Sequence, residues 1–232
     1  MKKLVKLIIL IILSMSVYIV YNKTTPTKKI IMNIGDGLSL GINSYGIKEY
    51  GFVDYYKEQI SRKDINIITN SQYSKKDLTI KELQSYFQTI PKIKKELSEA
   101  HLLFLTVGYN DLIYKCKIEE NLTTSKLQKN IEEIEKDYNS LIEEIKKYYK
   151  NEIIVIGYYR NTNQDEYVNN GIRRLNHYLK SREDIIFIDT YNLFNNQDQY
   201  FSNPNSYFPN RTGYQAISAE IIKKTLEKQK NI

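Results

Sequence analysis

Five short apolar runs, each of strand length and each followed by a longer segment of helical spacing, leave this chain few ways to fold. They fall at residues 29–34, 65–69, 102–107, 153–156 and 185–188, the last two reading IIVI and IIFI. Between them, residues 50–61, 80–99, 127–149, 167–179 and 212–228 read as helices. Pro91 breaks the second, because its ring removes a backbone donor inside the helix. In the third, Leu127, Ile131, Ile134, Tyr138, Leu141, Ile142 and Ile145 recur at three- and four-residue spacing, one apolar stripe. Strands that are apolar on both sides, alternating with helices, predict an α/β three-layer sandwich: a five-stranded parallel sheet covered on both faces. Ligand crevices of such sheets open at the carboxyl ends of the strands. The first run ends there in Gly35-Asp36-Gly37, the third in Gly108-Tyr109-Asn110-Asp111.

Residues 1–25 stand apart from this alternation. Residues 4–21 are apolar apart from Lys6 and a few small or hydroxylated side chains, follow Lys2 and Lys3, and precede a polar linker. Roughly 17–25 apolar residues span a bilayer as a helix. No A-x-A-like cleavage pattern and no lipid-accepting cysteine follow, so an uncleaved signal anchor is preferred to a cleaved signal peptide. Its basic start keeps that end cytoplasmic. The expected arrangement is a single-pass anchor over 1–25, with 26–232 as one extracytoplasmic domain at the cell membrane.

Charge supports that division. The chain carries a net +7, of which Lys2, Lys3, Lys6 and Lys23 supply +4 without a single acid. The remainder is close to balanced, which argues against a nucleic-acid binder, whose basic residues concentrate in a stripe. One cysteine, Cys116, excludes an internal disulfide and a multi-cysteine metal site. No cofactor-binding pattern is present. Asp36 and Asp111 are two loop carboxylates without a histidine, a poor metal pattern beside structural hydrogen bonding.

Three segments carry a resemblance. Ile34-Gly35-Asp36-Gly37-Leu38-Ser39-Leu40-Gly41 resembles the first block, G-D-S-L-S/T-x-G, of the SGNH/GDSL hydrolases. Val107-Gly108-Tyr109-Asn110-Asp111 is similar to their G-x-N-D block, and Phe208-Pro209-Asn210-Arg211-Thr212-Gly213-Tyr214 to their H-P-N-x-x-G-Y block. The blocks stand in family order over roughly residues 29–228. The resemblance implies a flavodoxin-like parallel sheet and an acyl-ester hydrolase site. In it, the residue after Gly-Asp is the nucleophile, the residue before Pro-Asn is the base, and Asn110 and Gly37 donate to the oxyanion.

The side chains depart from that plan. Gly37 stands at the nucleophile position, Phe208 at the histidine position, and Asn205 (or Ser206, in another register) at the aspartate position. The family's second block supplies a glycine N–H, yet no glycine lies between Gly51 and Gly108. Acyl transfer by this route needs a nucleophile, a base and a group that orients the base. Loss of the first or second alone costs about 10⁶ in turnover. Ser39 reads as a structural hydroxyl closing the turn, His101 precedes the third strand at its far end, and His177 sits on a helix.

The expectation is therefore a catalytically inactive, membrane-anchored binding or scaffolding domain without cofactor or metal. Gly37, Gly108 and Asn110 would be its vestigial oxyanion hole, and a cell-wall glycan or envelope protein its partner. Tyr45, Tyr50, Tyr109, Tyr207 and Tyr214 lie in or near the crevice blocks, either as candidate stacking surfaces or as plain packing, Tyr214 holding the last helix on the sheet. The alternative is an esterase acting on acyl or acetyl esters through unconventional residues.

Overall fold

A computed structural model describes residues 9–16, 26–62, 64–118, 123–160, 166–203 and 206–230. Residues 9–16 form a helical stretch, α1, whose apolar side chains, such as Leu10 and Ile12, are exposed. Among the described residues no helix is long and apolar enough to cross a membrane. Residues 1–8 and 17–25, most of the expected anchor, lie outside them.

The rest follows the predicted alternation. The strands are β1 (Thr27–Gly35), β2 (Ile65–Asn70), β3 (Leu102–Thr106), β4 (Ile153–Ile156) and β5 (Ile185–Ile188). The helices between and after them are α2 (Phe52–Ile60), α3 (Ile80–Thr89), α4 (Lys92–Glu99), α5 (Tyr109–Ile118), α6 (Thr124–Tyr148), α7 (Glu166–Ser181), α8 (Thr190–Leu193) and α9 (Arg211–Lys230). Pro91 separates α3 from α4, as its missing N–H requires. Thr79 caps α3 by accepting the Glu82 N–H at 3.2 Å, and Thr123 caps α6 by accepting the Lys126 N–H at 3.3 Å. Helix α5 has no counterpart in the sequence reading, which placed the G-x-N-D block in a loop.

All neighbouring strands are parallel, in the order β2-β1-β3-β4-β5. The period-2 alternation of strand side chains divides the core in two. Met32, Ile34, Leu103, Leu105, Ile153 and Val155 pack against α3 to α7, while Ile31, Phe104, Ile154 and Ile156 pack against α2 and α9. Burial on both faces is why β3 and β4 are almost wholly apolar, whereas the edge strand β2 (INIITN) is more exposed and carries Asn66, Thr69 and Asn70. The order reverses direction between β1 and β3, and at such a switch point adjacent crossovers leave on opposite faces and open a crevice. The turns carrying Asp36-Gly37 and Gly108-Asn110 both emerge there, joined where the Asp36 N–H donates to the Thr106 carbonyl at 2.8 Å.

Candidate active site

The turn after β1 is held by its own side chains. Asp36 is buried, and its Oδ1 accepts the Leu38 N–H at 3.0 Å and the Thr106 hydroxyl at 3.2 Å. Ser39 Oγ donates to the Asp36 carbonyl at 2.7 Å, so this hydroxyl closes the turn. Gly41 ends it at a φ of +70°, where a Cβ would lie 2.6 Å from the Glu49 carbonyl oxygen; only glycine fits there. Burial raises the Asp36 carboxyl from 3.8 to about 7, its hydrogen bonds offsetting only part of the desolvation.

Gly37 lies at the head of this turn, and the ring of Phe208 lies over it. A Cβ at residue 37 would be 2.5 Å from Phe208 Cζ and 2.6 Å from Cε1. Phe208 is brought there by the start of α9. Asn210 Oδ1 accepts the Gly213 N–H at 3.1 Å, an N-cap bond, and its Nδ2 donates to the Gln199 carbonyl at 2.7 Å. Tyr214, 2% exposed, packs α9 on the sheet and donates its hydroxyl to the Ile42 carbonyl at 2.7 Å. Ser206 Oγ donates to the Phe208 carbonyl at 2.6 Å and lies 2.7 Å from Ser44 Oγ. The loop before α9 is thereby tied to the loop after β1. Asn205 falls outside the described residues.

The two donors that the resemblance assigns to an oxyanion are engaged by backbone. The Gly37 N–H donates to the Lys76 carbonyl at 3.0 Å. Asn110, in the first turn of α5, donates through Nδ2 to the Leu78 carbonyl at 3.1 Å, with the Lys76 carbonyl at 3.5 Å. Asp111 fixes the same loop from the other side, its carboxylate accepting the Ile80 N–H at 3.1 Å at the start of α3. Burial raises the Asp111 carboxyl to about 6. Gly108 is buried at a φ of +109° among Tyr158, Ile80 and Tyr138, a conformation only glycine adopts without strain. The loop between β2 and α3 thus presents carbonyl oxygens where stabilisation of an oxyanion needs N–H groups.

Gly37, Asn110 and Phe208 therefore come together as the blocks implied, but without a nucleophile or a base among them. His101 lies at the opposite end of the sheet, where its Nδ1 accepts the Ile30 N–H at 3.2 Å, and His177 is exposed on α7. Among the described residues no group of three or more His, Cys, Asp or Glu is placed to hold a metal. The carboxylates of Asp36 and Asp111 each serve backbone donors of different turns. Of the five tyrosines, Tyr45, Tyr50 and Tyr207 are exposed and Tyr109 is half-buried, while Tyr214 is interior and takes the packing role, holding α9 on the sheet. The Lys76 carbonyl was not anticipated; the lack of any glycine between Gly51 and Gly108 was its only trace in the sequence.

A five-stranded parallel sheet with these blocks at its switch point defines an SGNH-type α/β hydrolase fold. The model of the GDSL-like lipase/acylhydrolase family matches residues 31–221, and the chain belongs to that family. No curated protein matches it. A solved lipase from a goat rumen metagenome is similar over 85% of this chain and 97% of its own, at 23% identity and a TM-score of 0.69. An acetylxylan esterase from Geobacillus stearothermophilus is similar over 87% and 95%, at 17% identity and a TM-score of 0.61. A catalytic mutant of that esterase gives the same coverage and identity with a TM-score of 0.63.

Proposed function

We infer that this chain is a pseudoenzyme: a GDSL-like domain that keeps the scaffold of an ester hydrolase without its chemistry. It works as a binding or scaffolding domain, held at the outer face of a cell membrane by residues 1–25. A cell-wall glycan or an envelope protein is its partner. The observation that carries this reading is the Phe208 ring packed over Gly37, which leaves no attacking atom and sets an aromatic ring where a side chain at residue 37 would stand. The Lys76 carbonyl on the Gly37 N–H adds to it, because an acceptor there repels the developing oxyanion. The solved lipase and acetylxylan esterase lend the fold; their activities are their own.

Hydrolysis through other residues finds no support at this site. Ser39 is buried with its proton committed to the Asp36 carbonyl, and neither histidine reaches the switch point. The test is hydrolysis of short-chain p-nitrophenyl esters by the full chain purified in mild detergent. No turnover above the enzyme-free rate is expected. Turnover that survives repurification and is abolished by Ser39→Ala contradicts the reading.

A further inference from the structure

A groove of about 820 Å³ runs between the loop before α2, α2 itself and the first turn of α9, with Pro209 in its wall and Gly37 outside its lining. Tyr50 forms an exposed wall, 56% accessible, and meets Tyr55 edge-to-face with ring centroids 5.6 Å apart. Around this pair stand Glu49, Glu58, Lys48 and Arg211. None of these four side chains makes an ion pair or side-chain hydrogen bond among the described residues, although opposite charges share the groove. Arg211 opens α9, where the positive end of the helix dipole disfavours a cation. The Tyr55 phenol is raised by burial and feels Arg211, Glu58, Asp54 and Glu49, all of which line the groove.

We propose that this groove is a binding site for a neutral oligosaccharide. A pyranose ring has an apolar C–H face that lies on an aromatic side chain and a rim of hydroxyls that both donate and accept. Tyr50 offers the exposed ring, Glu49 and Glu58 accept, and Arg211 donates in a planar fork. The volume suits a small-molecule-sized ligand. Charge selects among ligands: the carboxylates oppose a polyanion, while Lys48 and Arg211 oppose a polycation. The site does not require the acyl centre to be inactive, so it stands or falls separately from the pseudoenzyme reading.

The test is calorimetric titration of the full chain, in mild detergent, with cellohexaose, xylohexaose and hexa-N-acetylchitohexaose, and with one acidic and one basic decapeptide. Tyr50→Ala and Arg211→Ala are the variants, each checked for folding by circular dichroism. Saturable binding of at least one neutral sugar, weakened about tenfold or more by each variant, is expected. Three results overturn the proposal: no sugar binding up to about 10 mM, sugar binding unchanged in both variants, or binding of a peptide in place of every sugar. The ester assay above reports on the other site and is unaffected by these outcomes.

Discussion

The Phe208 ring occupies the place that any side chain at residue 37 would need, with Phe208 Cζ 2.5 Å from an ideal Cβ there. The two residues are coupled by volume: a hydrogen at one makes room for a benzene ring at the other. Such a pair is stable as found and unstable when half reverted.

Gly37→Ser alone is therefore expected to destabilise the fold by about 1–3 kcal/mol through overpacking. Phe208→His or Phe208→Ala in the same chain should recover much of that loss. Urea unfolding of the two single variants and the double variant measures it, as a coupling energy of about 1 kcal/mol or more. Additive effects would mean that the ring does not sit over Gly37.

Restoring the three side chains of the family pattern, Gly37→Ser, Asn205→Asp and Phe208→His, does not restore the oxyanion donors. The Lys76 carbonyl still takes the N–H of residue 37 and the Leu78 carbonyl the Asn110 amide. Loss of one such donor costs about 10²–10³ in turnover. Ester hydrolysis by the triple variant is expected to stay at least about 10²-fold below that of an active family lipase assayed beside it.

Asp36 gives the fold a pH signature. Burial raises its carboxyl from 3.8 to about 7, so the native state holds this proton more tightly than the unfolded chain. The resulting stability is fully present below pH 3.8 and is lost as the pH rises to about 7, on the order of 4 kcal/mol in all. Asp36→Asn keeps an acceptor for the Leu38 N–H and removes the titration. Urea midpoints between pH 4.5 and 8 should fall less steeply in the variant than in the natural chain.

The Tyr214 hydroxyl is interior and donates to the Ile42 carbonyl at 2.7 Å, joining α9 to the turn after β1. Tyr214→Phe is expected to cost about 1 kcal/mol, read as a lower urea midpoint with an unchanged slope.

The sheet was legible because its central strands are apolar on both faces and alternate with segments of helical period, the pattern of a covered parallel sheet. Pro91 marked the α3–α4 break for a reason equally local, a missing N–H. The residues at the switch point were legible through blocks that include Gly37, Asn110 and Phe208. What they do there was not. The contact of Phe208 with Gly37 joins positions far apart in the chain and depends on how Asn210 caps α9. The direction of the Lys76 carbonyl is a property of backbone torsions, which the neighbouring lysines do not encode. Helix α5 escaped notice because Tyr109–Ile118 lacks a clear apolar stripe, and the α2–α9 groove because its walls come from opposite ends of the domain.

Intact-mass spectrometry of the full chain, after incubation with a fluorophosphonate and with an excess of a slowly deacylating p-nitrophenyl ester, tests the account most directly. The unmodified mass is predicted under both conditions, because the only atom offered at residue 37 is a hydrogen beneath the Phe208 ring. A stoichiometric phosphonyl or acyl adduct on any serine of the native protein would contradict it.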